Sequence, residues 1–495
     1  MAVTIISALI LSSILYLGVG YFLGKENKSL ADLLPVTFGS TASVKSEDEF
    51  SKSTVATTVS LATIVLAYFE LSGYFGLYLL WTAITTVIGI VVVSIVSRRI
   101  WDKMNTYTHR PSMHEFLGTE FSSPKVSMIA SVCTSIGFLM IFATELIVGS
   151  RFLANLVPII PEWITVIFLS TVGFLYTLMG GFRAVIKTDQ LQMWFIWGLI
   201  VVLGLYLLYN VADTGFLQSI ASAPEGIFDL SWRDGLGVFL IGIAVMNIPT
   251  HLSNMSIWQR ISGAQNPKTV VRGFQRSIGG MFLSWGLLAL IACFAYTVVT
   301  PESSTTLLTD LLKTISQSPL GMVVVFVSAL GLYGAMLSTA STNLIVVTHT
   351  ISEDVIAKFK SNSLDERISS KKELRTSRII LVASAIVAIF LVEGLKYFGF
   401  SIADLVFAIY GGALVLFPPI LMALYSNRQR LSRLSTYVIS AVVIGFLLAW
   451  GSAVYGRSIG NSNLVFLAPT IGIGVSTLIL GVGWMVTGTS SASRT

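Results

Sequence analysis

The sequence predicts an all-α, polytopic membrane protein of about thirteen transmembrane helices, and three observations carry that prediction. Hydrophobic residues fill 54% of the 495 positions and charged residues only 11%, with a mean hydropathy of +0.81. A soluble chain carries about a quarter charged residues. Uncharged stretches of about 20 residues, the length that crosses a hydrocarbon core of about 30 Å, recur over 3–23, 163–181 and 437–455. The alternating pattern of a membrane barrel does not occur, so helices must satisfy the backbone in lipid.

Hydropathy and breakers together place spans near 3–23, 53–71, 73–97, 126–150, 160–181, 189–210, 235–258, 277–300, 319–350, 378–395, 402–425, 435–455 and 463–487. The first lacks a basic n-region and a small-residue cleavage site before Tyr21, so it reads as a retained helix. With this count, one set of loops holds 26 of the 31 basic residues, among them Arg98, Arg99, Arg183, Arg260, Lys360, Arg367, Arg428 and Arg494. Arg151, Arg233, Lys313, Lys396 and Arg457 fall on the other side. The positive-inside rule makes the rich side cytoplasmic, which puts the N-terminus outside and the C-terminus inside an inner membrane. The formal charge of +6 follows topology and forms no basic face, which argues against nucleic acid. Cys133 and Cys293 sit in apolar stretches and read as free buried thiols.

No loop is long enough for a catalytic domain, and no P-loop, HExxH, GxSxG or Cys/His metal spacing occurs, so an enzyme is not expected. Polar residues inside the spans carry the functional information. Residues 53–63 of the second span hold six hydroxyls in eleven positions, a weak helix that can unwind and turn carbonyls towards a cation. In the ninth span, Ser338, Ser341 and Thr342 share a face at spacings of three and four, with Thr339 beside them. Hydroxyls and carbonyls of this kind suit a hard monovalent cation; a small-residue packing seam is the alternative. Asp189 opens the sixth span, where a carboxylate also suits the positive end of a helix.

Pro249, with Asn247 and His251 beside it, marks a break in the seventh span. Breaks in spans two and seven lie five spans apart, the separation expected of two five-helix inverted repeats with a binding site near the midplane. The chain then divides into an N-terminal helix and connector (1–52), a first repeat (53–210), a second repeat (211–425) and two further helices (426–495). His251 either contacts a solute or bonds across the break.

Three motifs resemble the sodium/solute symporter family, whose members share the LeuT-type fold. They are Tyr176-Thr177-Leu178-Met179-Gly180-Gly181 running on to Lys187-Thr188-Asp189, the Ser338-Thr339-Ala340-Ser341-Thr342 run, and Trp258-Gln259-Arg260 after the broken seventh span. The resemblance implies a main sodium site built from the carbonyls of Ala56, Val59 and Ala335 with the hydroxyls of Ser338 and Thr339. It implies a second, found in only some members, from Asp189, Ser338, Ser341 and Thr342. It also implies a solute cavity lined by spans two, three, four, seven and eleven, with Thr58, Ser60, Thr63, Thr82, Phe142 and Asn247 as its contacts. Phe142 and Thr82 stand where the sialic-acid branch has arginine and glutamine, which argues against that substrate.

Glu70 and Glu145 are acids inside spans, where each needs a cavity or a partner; Glu145 either faces a cationic head group of the solute or pairs with Arg151, less than two turns away, and the pair is the favoured reading. The function expected is sodium-coupled import of a small polar organic solute by alternating access. A membrane potential supplies about 2.3 kcal/mol per charge per 100 mV, or roughly 50-fold accumulation per ion for a neutral solute. The rivals are a proton-coupled carrier on the same fold and a solute sensor that does not transport. Solute identity and oligomeric state are not legible in one sequence.

Overall fold

The computed structural model describes residues 1–25, 27–37, 43–359, 370–398 and 401–492; Lys360, Arg367 and Arg494 lie outside them. Among the described residues the chain is helical throughout, with one isolated bridge between Val44 and Ala264 and no strand. Eleven helical stretches are long and apolar enough to cross a membrane. Two of them, Leu61–Met104 with 44 residues and Glu162–Thr214 with 53, are twice the length one crossing needs. Each contains a glycine at positive φ, Gly76 (+49°) and Gly181 (+61°). The expected count of thirteen is reached only when both stretches are divided at those glycines.

Gly181 shows why the chain needs glycine at such a divide. Its φ of 61° and ψ of −158° fall where essentially only glycine is found, and a Cβ there would lie 2.7 Å from the Leu33 Cα. Gly181→Ala is expected to cost about 1–3 kcal/mol, seen as a lower midpoint for loss of the monodisperse peak when detergent-solubilised protein is heated before gel filtration. An unchanged midpoint would mean that the turn has a second conformation open to alanine.

The Pro319–His349 helix forms the centre. Every residue from 328 to 349 is buried, so other helices surround this one on all sides, its hydroxyl face included. It packs most extensively against Glu162–Thr214, and Ala2–Gly24 lies against both. The outer helices instead expose Phe390, Leu447 and Leu478, a surface suited to lipid tails. At one end, Glu49 is held by Arg183 (2.7 Å) and Lys187, and buried Glu120 by Lys103 (2.8 Å) and Arg428 (2.7 Å). Cys293 is buried and Cys133 partly so, and both are free thiols.

Candidate functional site

The second span is broken, two residues wide, inside its hydroxyl-rich run. The Glu47–Thr58 helix stops at Val59 (φ −92°, ψ 78°) and Ser60 (φ −78°, ψ 149°), after which a π-helical turn, Leu61–Leu66, leads into Ala67–Phe75. The cause is local. Thr57 and Thr58 bond back to the carbonyls of Ser53 and Val55 at 2.8 Å, and β-branched residues crowd the same turn, so this stretch is a poor continuation of a helix. Ser60 starts the second half by accepting the Thr63 N–H at 2.9 Å. Its own hydroxyl donates to Glu145 Oε1, and Glu145 Oε2 accepts the Ala62 N–H at 3.3 Å. Glu145 thus caps the half-helix. The expected pairing with Arg151 is incorrect: Arg151 turns towards Glu162, 3.9 Å away.

In the seventh span the break is displaced from its expected position. Pro249 lies inside the Leu236–Ser253 helix, and the chain departs from helix at Asn254 (φ −95°, ψ 113°) before Met255–Gly263. Proline leaves the Val245 carbonyl without its helical donor, yet the helix runs on through it to Ser253. Asn254 caps the second half by accepting the Ser256 N–H at 2.8 Å.

All five residues expected at the main ion site are buried. Ala56 and Val59 stand at the break of the second span, and Ala335, Ser338 and Thr339 on the central helix. The two elements touch where the Thr339 hydroxyl donates to the Thr57 carbonyl at 3.4 Å.

The second expected site holds a group the sequence did not reveal. Asp189 lies eight residues beyond the Gly181 break, within regular helix, and so does not cap a helix end. Its Oδ1 accepts the Ser338 hydroxyl at 2.7 Å and its Oδ2 the Ser53 hydroxyl at 2.5 Å. Arg260 Nη2 donates to the same Oδ2 at 3.0 Å and to the Thr342 hydroxyl at 3.3 Å. Asp189 and Arg260 are both fully buried. Arg260 is further fixed by Ser53 Oγ (3.0 Å), the Ser256 carbonyl (3.0 Å) and Thr57 Oγ1. Asp189, Ser338 and Thr342 therefore meet around a guanidinium, whereas Ser341 Oγ bonds to the Ser338 carbonyl of its own helix at 3.3 Å. Sequence reasoning placed Arg260 among the cytoplasmic loop cations; the one available signal was its position after the broken seventh span.

A cavity of about 890 Å³, mouth included, lies beside the two breaks. Of the residues named for a solute cavity, Thr58, Thr63, Thr82, Asn247 and His251 line this one, whereas Ser60 and Phe142 do not. Ser60 is turned to Glu145, and Phe142 is buried in the packing of the fourth span. The expected contribution of span four is absent among the lining residues. The eighth span contributes Trp285 instead, and Tyr68, Phe407 and Tyr410 complete an aromatic wall. Asn247 Nδ2 donates to the Thr82 carbonyl (3.2 Å) and the Thr85 hydroxyl (3.0 Å), tying the seventh span to the third.

Two discontinuous helices beside a largely apolar cavity with hydroxyl, amide and imidazole groups, packed on a buried central helix, define a membrane transporter of the LeuT fold, and comparison with solved structures agrees. A Na⁺-coupled sialic acid symporter in a substrate-bound outward-open state superposes with a TM-score of 0.76 at 16% identity, covering 98% of each chain. A nucleobase-cation-symport-1 family transporter, closed around bromovinylhydantoin, gives 0.59 at 11% identity over 93% of this chain and 96% of its own. In sequence, the sodium/proline symporter of Haemophilus influenzae is 22% identical over 378 residues, 72% of this chain and 70% of that protein. The sequence model of the Sodium:solute symporter family matches residues 53–432, and the chain belongs to that family.

Proposed function

We propose that the protein is a sodium-coupled symporter that carries a small polar organic solute into the cell by alternating access. In this reading the main ion site is formed by the carbonyls of Ala56, Val59 and Ala335 and the hydroxyls of Ser338 and Thr339. The observation that supports it most is the contact between the broken second span and the hydroxyl face of the central helix, Thr339 to the Thr57 carbonyl at 3.4 Å. An ion bound there bridges the two elements and fixes the break, which forms one wall of the solute cavity. Thr58, Thr63, Thr82, Asn247 and His251 are the contacts we assign to the solute.

A second ion at Asp189, Ser338, Ser341 and Thr342 would share the carboxylate with Arg260, raising a neutral pair to a net positive charge in a buried place. We therefore assign the coupling to the main site. The inverted repeats at 53–210 and 211–425, an outside N-terminus and an inner-membrane location complete the reading. Family membership favours a carrier over an enzyme or a sensor, and neutral hydroxyl ligands favour sodium over a proton. Saturable binding of radioactive sodium to purified protein, displaced by unlabelled sodium and not by potassium, is the expected result. Binding displaced equally by both ions would contradict it.

A further inference from the structure

Half-helix N-termini at the midplane of such folds are where a substrate's anionic group is ordinarily received. In this chain both are already occupied by its own side chains. The Glu145 carboxylate takes the Ser60 hydroxyl and the Ala62 N–H, with the N–H groups of Leu61 and Thr63 also directed at it. Asn254 takes the Ser256 N–H at the other break. Among the described residues, no lysine or arginine lines the cavity. A solute carboxylate there would find neither a lysine or arginine nor an open helix terminus.

Three lining side chains instead carry an atom without a partner, the Thr54 hydroxyl among them. Trp285 Nε1 and His251 Nε2 are buried and without a hydrogen bond, and the two residues are 6% and 4% exposed. The indole can only donate. The Thr86 backbone partners the His251 ring, and a ring nitrogen that donates to a carbonyl leaves the other as an acceptor. The indole donor, the imidazole acceptor and the Thr54 hydroxyl, which can act as either, line one cavity with Tyr68, Phe407 and Tyr410. Buried polar groups of this kind require a complementary partner.

Resting on the symporter reading above, we propose that the solute is an uncharged, flat molecule bearing an amide-type N–H and C=O, such as a lactam, ureide or pyrimidine base, and that Glu145 excludes carboxylate solutes by filling their place. The chain therefore differs from its relative named for proline in the kind of solute it takes.

The test is the melting temperature of purified wild type in sodium chloride with pyrrolidinone, uracil, L-proline or L-lactate added in turn. Pyrrolidinone and proline share a five-membered ring and differ in the carboxylate. A rise of a few degrees with pyrrolidinone or uracil, absent with Trp285→Phe, and no rise with proline or lactate, is expected. A rise with proline or lactate, or a flat response to both neutral probes, overturns the proposal. A sodium-specific rise without any probe, measured in the same series, reports on the symporter reading separately. In Glu145→Ala, exchanging sodium chloride for sodium formate at equal sodium is expected to recover about half of the lost melting temperature, with no effect on wild type. Formate that stabilises wild type, or leaves the folded variant unchanged, contradicts the role given to Glu145; where the variant does not fold, the wild-type series decides.

Discussion

Replacing Asp189 by alanine is expected to cost about 3–5 kcal/mol of stability, the range for removing one partner of a buried ion pair. The reason lies in what remains. Arg260 is fully buried, and without the carboxylate its charge keeps only hydroxyl and carbonyl acceptors from Ser53, Thr57, Thr342 and Ser256. With total stability commonly about 5–15 kcal/mol, little folded protein should survive mild heating. Removing both charges together, as Asp189→Leu with Arg260→Met, leaves no stranded ion and should recover most of the loss. Gel filtration after a heat step measures both variants. Equal loss in the single and double variants would mean that the pair acts through something other than its charges. Loss of transport in Asp189→Ala would therefore report on stability before it reported on a second ion.

Ser338→Ala has a different expected signature. The Ser338 hydroxyl donates its proton to Asp189, which leaves its lone pairs for an ion. Alanine removes that ligand and one hydrogen bond. Stability without sodium should fall by about 1 kcal/mol, and the sodium concentration needed for half of the stabilisation should rise at least about tenfold, or about 1.4 kcal/mol. Thr342→Ala serves as the comparison, because Thr342 meets Arg260 and lies outside the main set. The sodium dependence of the melting temperature separates the two. An unchanged midpoint in Ser338→Ala would move the ion elsewhere.

The sequence disclosed these features unevenly, and the reasons are physical. Apolar stretches long enough to span a bilayer register in composition and length alone, so the helices were legible. The break at 59–60 was legible as a hydroxyl-rich, β-branched run. The break in the seventh span was legible too, but not its residue: proline in a packed helix need not end it, and the departure came at Asn254, a side chain able to cap the next helix. Thr58, Thr63, Thr82 and Asn247 were named through the family resemblance, whereas Trp285 gave no signal because a tryptophan in an apolar span is ordinarily packing. Arg260 and Glu145 were misassigned for a common reason. Arg260 was read as a loop cation and Glu145 was matched to a neighbour along the chain, yet Arg260 meets Asp189 71 residues away and Glu145 meets Ser60 85 away. Buried charges find partners through tertiary packing, which no local pattern records.

The most direct test of sodium coupling is the melting temperature of detergent-purified protein in sodium chloride against potassium chloride at equal ionic strength. It requires no knowledge of the solute. At about a hundred times the dissociation constant, an ion bound only to the folded state adds about 2.7 kcal/mol. The predicted result is a sodium-specific rise that Ser338→Ala shifts to higher sodium. Identical melting in the two salts, with the protein folded and monodisperse in both, would contradict a sodium site joining the broken second span to the central helix.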